Sequence, residues 1–413
     1  MSERAGADPA VLVVGGGPAG LSAASELARL GIGPVVVAER ESAAGGIPRH
    51  CGHTGFGLQD LRRTMSGPAY ARYLLRRAQA AGARILLATT VAELADDGSV
   101  VLVGPDGIRS VRPRVVVLAT GARERPRAAR LVPGDRPAGV FTTGQLQQWV
   151  ALRDLPVGRR AVVVGAEHVA YSAVLTLRHA GVATVAMVTD LPRHQTLPAF
   201  AVLTRFGLGV PLRTSARVAA LHGHGRLEAV DVEDLVSGSV DRLAADTVVF
   251  TGDWIPDHDL ARRAGVALDR STRGPRTDAW GHTSRPGVLA AGNLVHPGET
   301  AGLAALGGRE AARRLAVDWP LGPRGTATGL AVTTSGPLRS VVPAVVDPAD
   351  PPPRLLLRTV AFGPGRIVVA RQGGSELGRH RLRHATPHRS LSVPGSVLDG
   401  ADPAGGTIEL SLA

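Results

Sequence analysis

The chain is 413 residues long, 44% hydrophobic, 20% charged and 3% aromatic, with a formal net charge of +12; that suits two or three globular domains, and no apolar run reaches the roughly 18 residues of a membrane-spanning helix. All 47 basic residues are arginines scattered along the chain, so the charge reads as compositional bias rather than a nucleic-acid surface, and the absence of lysine excludes Schiff-base catalysis and P-loop phosphate binding. Cys51 is the only cysteine, which excludes an internal disulfide, a CxxC redox pair and an iron–sulfur cluster held by four thiolates of this chain.

The opening Met1-Ser2-Glu3-Arg4 leads straight into a strand pattern with no signal-peptide hydrophobic stretch, and a cytoplasmic protein is expected. Val11 to Val14 is an apolar run, followed at once by Gly15-Gly16-Gly17-Pro18-Ala19-Gly20 and a helical pattern carrying Leu21, Ala24, Leu27 and Leu30. Gly31 stands where a helix C-cap glycine belongs, and a second strand, Val35 to Ala38, ends at Glu39. Strand, glycine loop, helix, strand and acid together form a dinucleotide-binding fingerprint. Gly15 allows the tight turn, Gly17 lets the backbone approach a pyrophosphate, Gly20 lets helix and strand pack closely, and the Glu39 carboxylate can accept hydrogen bonds from a ribose. The helix N-terminus adds free amides and a positive dipole end for phosphates. A glycine-rich turn in an α/β core would not require that acid.

The next stretch, Gly45-Gly46-Ile47-Pro48-Arg49-His50-Cys51-Gly52-His53, gathers two imidazoles and the only thiol. His50, Cys51 and His53 are candidates for proton handling, since imidazole titrates near neutral pH; the alternative is a packing loop with no catalytic role. Two histidines and a cysteine also raise metal binding, but no second cluster completes a structural-zinc set, and no metal site is expected. Val115 to Leu118 then runs as a buried strand into Ala119-Thr120-Gly121.

From Arg160 the first pattern repeats: Val162-Val163-Val164, then Gly165-Ala166-Glu167-His168-Val169-Ala170, a helix pattern to Gly181, and a strand that ends at Asp190. This reads as an internal duplication of the nucleotide-binding unit. The copy departs where the second and third glycines belong, with Glu167 and Ala170. A side chain at 167 blocks backbone approach, and its charge repels a pyrophosphate. Either Gly165, Glu167 and Asp190 frame an altered nucleotide site, or the unit keeps its fold for packing or partner binding.

Thr251-Gly252-Asp253-Trp254-Ile255-Pro256 closes the insertion, and Gly287 to Asn293 is a strand that stops at a glycine and an amide before a helix pattern from Glu299 to Leu315. Asn293 is the only asparagine in the chain, which favours function over filler. Beyond about residue 322, Pro351-Pro352-Pro353 and several Gly-Pro pairs separate short apolar runs such as Leu355-Leu356-Leu357, Ile367-Val368-Val369 and Ile408-Glu409-Leu410, the pattern of a small β-rich appendage. A partner or dimer surface is expected there. His380, His384 and His388 recur every four residues in Arg-rich, strand-like sequence and read as a solvated strand face rather than a ligand set.

With Gly15–Gly20, Ala119-Thr120-Gly121 and Gly292-Asn293 in this order, the chain resembles the pyridine nucleotide-disulfide oxidoreductase superfamily, whose FAD domain carries the same three segments and whose inserted copy binds NAD(P)H. The resemblance implies an α/β fold: two Rossmann-like dinucleotide-binding domains, the second inserted in the first, plus a small C-terminal β-rich domain. The expected boundaries are 8–128 with 265–318 for FAD, 129–264 for the NAD(P)-binding-like insertion and 322–413 for the appendage. The FAD, bound non-covalently, would be lined by Gly15, Gly17, Pro18, Ala19, Gly20, Glu39, Arg40, Gly46, Ile47, Val91, Ala119, Thr120, Gly121, Gly292, Asn293, Thr300 and Ala301. The helix starting near Glu299 to Ala301 would point its positive end at the flavin's pyrimidine edge.

In the superfamily the last segment normally ends in Gly-Asp, the acid binding the ribityl chain; Asn293 keeps an acceptor, adds a donor and loses the charge. Disulfide reductases carry their cysteine pair in the stretch occupied here by residues 45 to 53. With Cys51 alone the dithiol relay is impossible, so the flavin must exchange electrons directly with a substrate or another carrier.

Gly45 to Cys51, Val164 to Val169 and Thr251 to His258 together resemble a narrower branch, the FAD-binding subunits of opine oxidase, hydrogen cyanide synthase and dye-linked proline dehydrogenase complexes. This implies an FAD-dependent oxidoreductase that transfers hydride or electrons within an amine or amino-acid dehydrogenase of opine or proline type. In such complexes a second flavoprotein subunit oxidises the small-molecule amine or amino acid, and an iron–sulfur segment, absent from this chain, relays electrons; a partner chain would have to supply it. Two other readings stand beside this one: a stand-alone NAD(P)H:acceptor oxidoreductase, and a non-catalytic FAD-binding assembly subunit.

Overall fold

The computed structural model describes residues 8–321 and 327–413; Met1 to Arg4 and the first residues of the appendage expected from 322 lie outside them. The chain opens with β1 (Val11–Val14), α1 (Pro18–Arg29) and β2 (Val35–Ala38), continues through α2 (Gly67–Ala80) and β3 (Arg84–Leu86), and reaches β4 (Val115–Leu118) after a three-stranded meander over residues 90–111. Pro18 sets the helical φ at the first position of α1, and Gly31, at φ 76°, ends the helix in the left-handed region.

Strand β5 (Ala122–Glu124) then leads to β6 (Val140–Thr142), α3 (Thr143–Arg153), β7 (Arg160–Val164), α4 (His168–His179), β8 (Ala183–Val188), β9 (Leu212–Arg213) and, past a second meander over residues 216–244, β10 (Thr247–Phe250). Strand β11 (Trp254–Pro256) pairs antiparallel with β5, so one two-stranded ribbon carries the chain out of the first unit and back. The first unit is finished by β12 (Val288–Ala290) and α5 (Ala301–Asp318).

Two five-stranded sheets result, ordered β12-β4-β1-β2-β3 and β6-β10-β7-β8-β9. Their central pairs are parallel, with Val11 opposite Val35 and Val115 in the first and Val162 opposite Val248 in the second. Uninterrupted apolar strands suit such sheets, because both faces are covered. Val11 and Val13 pack with Leu21, Leu27, Tyr70 and Leu74 from α1 and α2, whereas Leu12 and Val14 join Leu94, Leu102 and Val116 under the meander. The second sheet is built the same way, Val163 facing Tyr171 and Leu177, Val162 facing Val218 and Val232.

Leu260 and Ala261 pack into the core of the first unit with Leu12 and Val14. The C-terminal region is a β-structure in which a five-stranded sheet, including Leu330–Thr334, Ile367–Gln372 and Ile408–Leu412, and the three-stranded sheet Leu338–Val342, Arg354–Thr359 and Leu391–Pro394 enclose one apolar core. His380 lies on the strand Ser375–Arg381, His384 on a separate short strand and His388 in a turn at φ 61°; the three do not share one strand face. Among the described residues no helix is long and apolar enough to cross a membrane, and no group of three or more His, Cys, Asp or Glu side chains is placed to hold a metal ion.

Candidate functional site

The carboxyl ends of the parallel strands β1, β4 and β12 lie at one edge of the sheet, where the Gly15–Gly17 turn follows β1; open α/β sheets bind ligands at that edge. Helix α1 starts there with Gly17 as N-cap and no side-chain cap, so its first amides are available. A Cβ on Gly20 would stand 1.9 Å from the Gly15 carbonyl oxygen, which is why only glycine lets α1 sit this close to its loop. A Cβ on Gly17 would meet nothing nearer than the Gly46 Cα at 3.9 Å. The space above Gly17 is therefore open, and its φ of −81° needs no glycine. Neither packing nor backbone conformation requires glycine there, and the open space leaves room for a ligand.

Glu39, 8% exposed, accepts hydrogen bonds from the Gly16 amide at 2.7 Å and the Glu41 amide at 2.9 Å. It clamps the glycine loop and keeps further lone pairs as acceptors. The Gly45 amide donates to the Gly16 carbonyl at 2.7 Å, which brings Gly46 and the exposed Ile47 beside the loop. On the opposite wall the Thr120 hydroxyl donates to the Asp257 carbonyl at 2.7 Å, and Arg40 reaches the Asp257 carboxylate at 3.2 Å. Asp257 is a wall residue that sequence spacing did not point to. Val91 turns its side chain into the core with Leu12 and Val14, so only its backbone can face a ligand.

Asn293 sits in a single helical turn between β12 and α5. Its Nδ2 donates to the Glu299 carbonyl at 3.1 Å and its Oδ1 accepts from the Glu299 amide at 2.7 Å. An aspartate could make only the second bond, so the amide is explained locally, by the need to satisfy both backbone groups. Thr300 caps α5 by accepting from the Leu303 amide and donates to Gln59, while Ala301 is the first helical residue.

Behind this turn lies a charge cluster unmarked in the sequence. Arg358, from the C-terminal β-structure, meets the buried Glu299 carboxylate at 2.6 Å and donates to the Pro297 carbonyl at 3.0 Å. His296 Nδ1 lies 2.6 Å from the same carboxylate. Burial pushes the Glu299 carboxyl up, but the approach of His296 and the permanent charge of Arg358 outweigh it and hold it at about 2. Burial also lowers His296, against the raising pull of the Glu299 carboxylate beside it.

The His50, Cys51 and His53 segment packs against the second unit. The Cys51 thiol donates to Gln147 Oε1 at 3.2 Å, Gln147 Nε2 donates to the Ser172 hydroxyl at 2.8 Å, and Ser172 lies 2.7 Å from His53 Nε2. Burial pushes the Cys51 thiol up to about 12, helped by the charge of Glu124, and burial lowers His50 to about 4. Both are neutral at pH 7, which makes Cys51 a poor nucleophile. Gln147 and Ser172 carry no local sequence signal; only the docking of α3 and α4 brings them here.

Two Rossmann-type units, the first with a complete and open dinucleotide loop, define an FAD-type α/β oxidoreductase. The model of the pyridine nucleotide-disulphide oxidoreductase family matches residues 9–311, and the chain belongs to that family. Its members bind FAD and use NAD(P)H. The chain is 32% identical over 267 residues to the alpha subunit of sarcosine oxidase from Corynebacterium sp. (strain P-1), covering 60% of this chain and 26% of that protein. It is 28% identical over 315 residues to the opine oxidase A subunit from Rhizobium meliloti (strain 1021), covering 68% and 65% respectively. It thus spans less than two thirds of either relative. Thioredoxin reductase of T. acidophilum superposes with a TM-score of 0.65 at 23% identity, over 76% of this chain and all of that one, which establishes the fold.

The residues present fit FAD in the first unit: free helix amides, an open approach at Gly17 and a buried carboxylate at the end of β2. FAD held there would supply two-electron chemistry to a substrate beside it. The chain's part would be to bind its phosphates with the α1 amides and to orient it.

Proposed function

We propose that this chain is the FAD-carrying subunit of an amine or amino-acid dehydrogenase of the opine or proline type. The observation that carries the reading is Cys51: one thiol, buried and protonated, with no second cysteine anywhere in the sequence. A dithiol relay has no material here, so electrons pass between the flavin and a substrate or carrier without a disulfide. The likeness to the opine oxidase and sarcosine oxidase subunits supports an amine or amino acid as the reductant. It also supports a second polypeptide as the place of its oxidation, with any iron–sulfur relay on a partner chain.

The test is anaerobic titration of the purified yellow protein with N-substituted amino acids, NADH and NADPH, alone and with the products of neighbouring genes. Bleaching of the flavin by an amino acid in the presence of the partner, and not by nicotinamides alone, is the expected result. Rapid bleaching by NADH or NADPH alone overturns the reading in favour of a stand-alone reductase.

A further inference from the structure

Helices α1 and α4 begin at equivalent points of the two units, which makes the molecule its own comparison. In the first unit the N-cap is Gly17, with open space above it; in the second it is Glu167, again without a side-chain cap. The carboxylate of the half-buried Glu167 is held by the protein. Its Oε1 lies 2.5 Å from the hydroxyl of Thr251, buried just past β10, whose single hydrogen is shared between that oxygen and the Val164 carbonyl at 2.9 Å. A Cβ on Gly165 would meet Glu167 Oε2 at 2.7 Å, and one on Gly252 would meet Oε1 at 2.9 Å. The carboxylate thus fills the crevice between the ends of β7 and β10, where a pyrophosphate belongs.

The surroundings agree. Arg130, the nearby cation, gives its Nη2 to the Thr251 and Gly252 carbonyls at 2.8 and 2.9 Å. Glu124, buried and held protonated more readily than usual by burial and by the charge of Glu167, adds a second acid. Ala170 replaces the glycine that lets α1 approach its loop, and Asp190, unlike Glu39, is exposed. A dinucleotide would have to displace a hydrogen-bonded carboxylate of its own charge.

We infer that the second unit is closed to NAD(P)H by Glu167, which occupies the phosphate position as a built-in anion. The unit that other family members use for the nicotinamide cofactor is here a scaffold, docked through Ser172 and Gln147 onto the His50 to His53 segment. The test is isothermal titration of the full FAD-containing protein with NADH and with NADPH, on the wild type, Glu167→Gly and Glu167→Gln. Flavin absorbance and melting temperature, recorded on each preparation, report folding and FAD binding separately. The wild type shows no saturable binding at millimolar nucleotide, E167G gains at least about tenfold in affinity, and E167Q, which keeps the bulk and removes the charge, gains by a smaller factor. Wild-type binding as tight as either variant, or no gain in either, overturns the inference.

Discussion

Arg358→Leu tests whether the C-terminal β-structure holds the turn that carries Asn293. The Arg358 side chain is 14% exposed and that of Glu299 7%, so the variant strands a buried carboxylate, which costs about 3–5 kcal/mol. The pH dependence sets an upper figure, because it covers His296 as well as Arg358. The folded-state pKa of Glu299 is depressed, from 4.5 to about 2, so its contribution is complete above 4.5 and is lost as pH falls from there towards 2. That interval corresponds to about 3 kcal/mol. Urea unfolding followed by tryptophan fluorescence suits the assay, because the Trp254 ring lies against Gly298 in the same turn. R358L should lose about 3 kcal/mol at pH 7, and its deficit relative to wild type should shrink below pH 4.5. Adding Glu299→Gln should recover part of the loss, since no unpaired charge then remains. A deficit under about 1 kcal/mol at pH 7, or an unchanged acid slope, would refute the reasoning.

Gly17→Ala should leave the unfolding free energy of the FAD-free protein within about 0.5 kcal/mol, because its Cβ has room, yet weaken FAD binding at least about tenfold by equilibrium dialysis; Gly20→Ala, whose Cβ would strike the Gly15 carbonyl, should fail to fold. Cys51 should react with a disulfide reagent at pH 7 about a thousandfold more slowly in the native protein than after denaturation, and rapid native labelling would contradict its burial. Asn293→Asp, although it restores the acid common in the superfamily, should lower stability by about 1–3 kcal/mol in thermal melts, because the Glu299 carbonyl loses its donor. His50, lowered from 6.5 to about 4, binds a proton more readily unfolded than folded, so stability should fall as pH drops from 6.5 towards 4. His50→Gln should flatten that part of the profile.

The first unit was legible because its determinants are local. The turn, the helix start and the acid at the end of β2 all lie between Val11 and Glu39, and each residue type has a backbone reason that spacing alone exposes. Glu167 was legible as a departure for the same reason, but not the direction of its side chain, which Thr251 decides from 84 residues away. Asn293 was singled out by its rarity, whereas its pairing with both backbone groups of Glu299 needed the turn geometry. The chain from Cys51 through Gln147 and Ser172 to His53 exists only because two units dock. Arg358 is one arginine among many, and no periodicity distinguishes the one that crosses from the C-terminal strands to Glu299.

The strand order also fixes a timetable for synthesis. Every strand of the second sheet lies between residues 140 and 250, but β12, which covers the outer edge of β4, ends only at Ala290. On a ribosome working from the N-terminus, the later unit can close its sheet while the earlier one still presents β4 as an open edge, the kind of surface that recruits stray strands. A chain truncated after residue 264 and released should therefore hold a protease-resistant second unit and a sticky first one. The insertion makes the nucleotide crevice the last part of the first sheet to be completed.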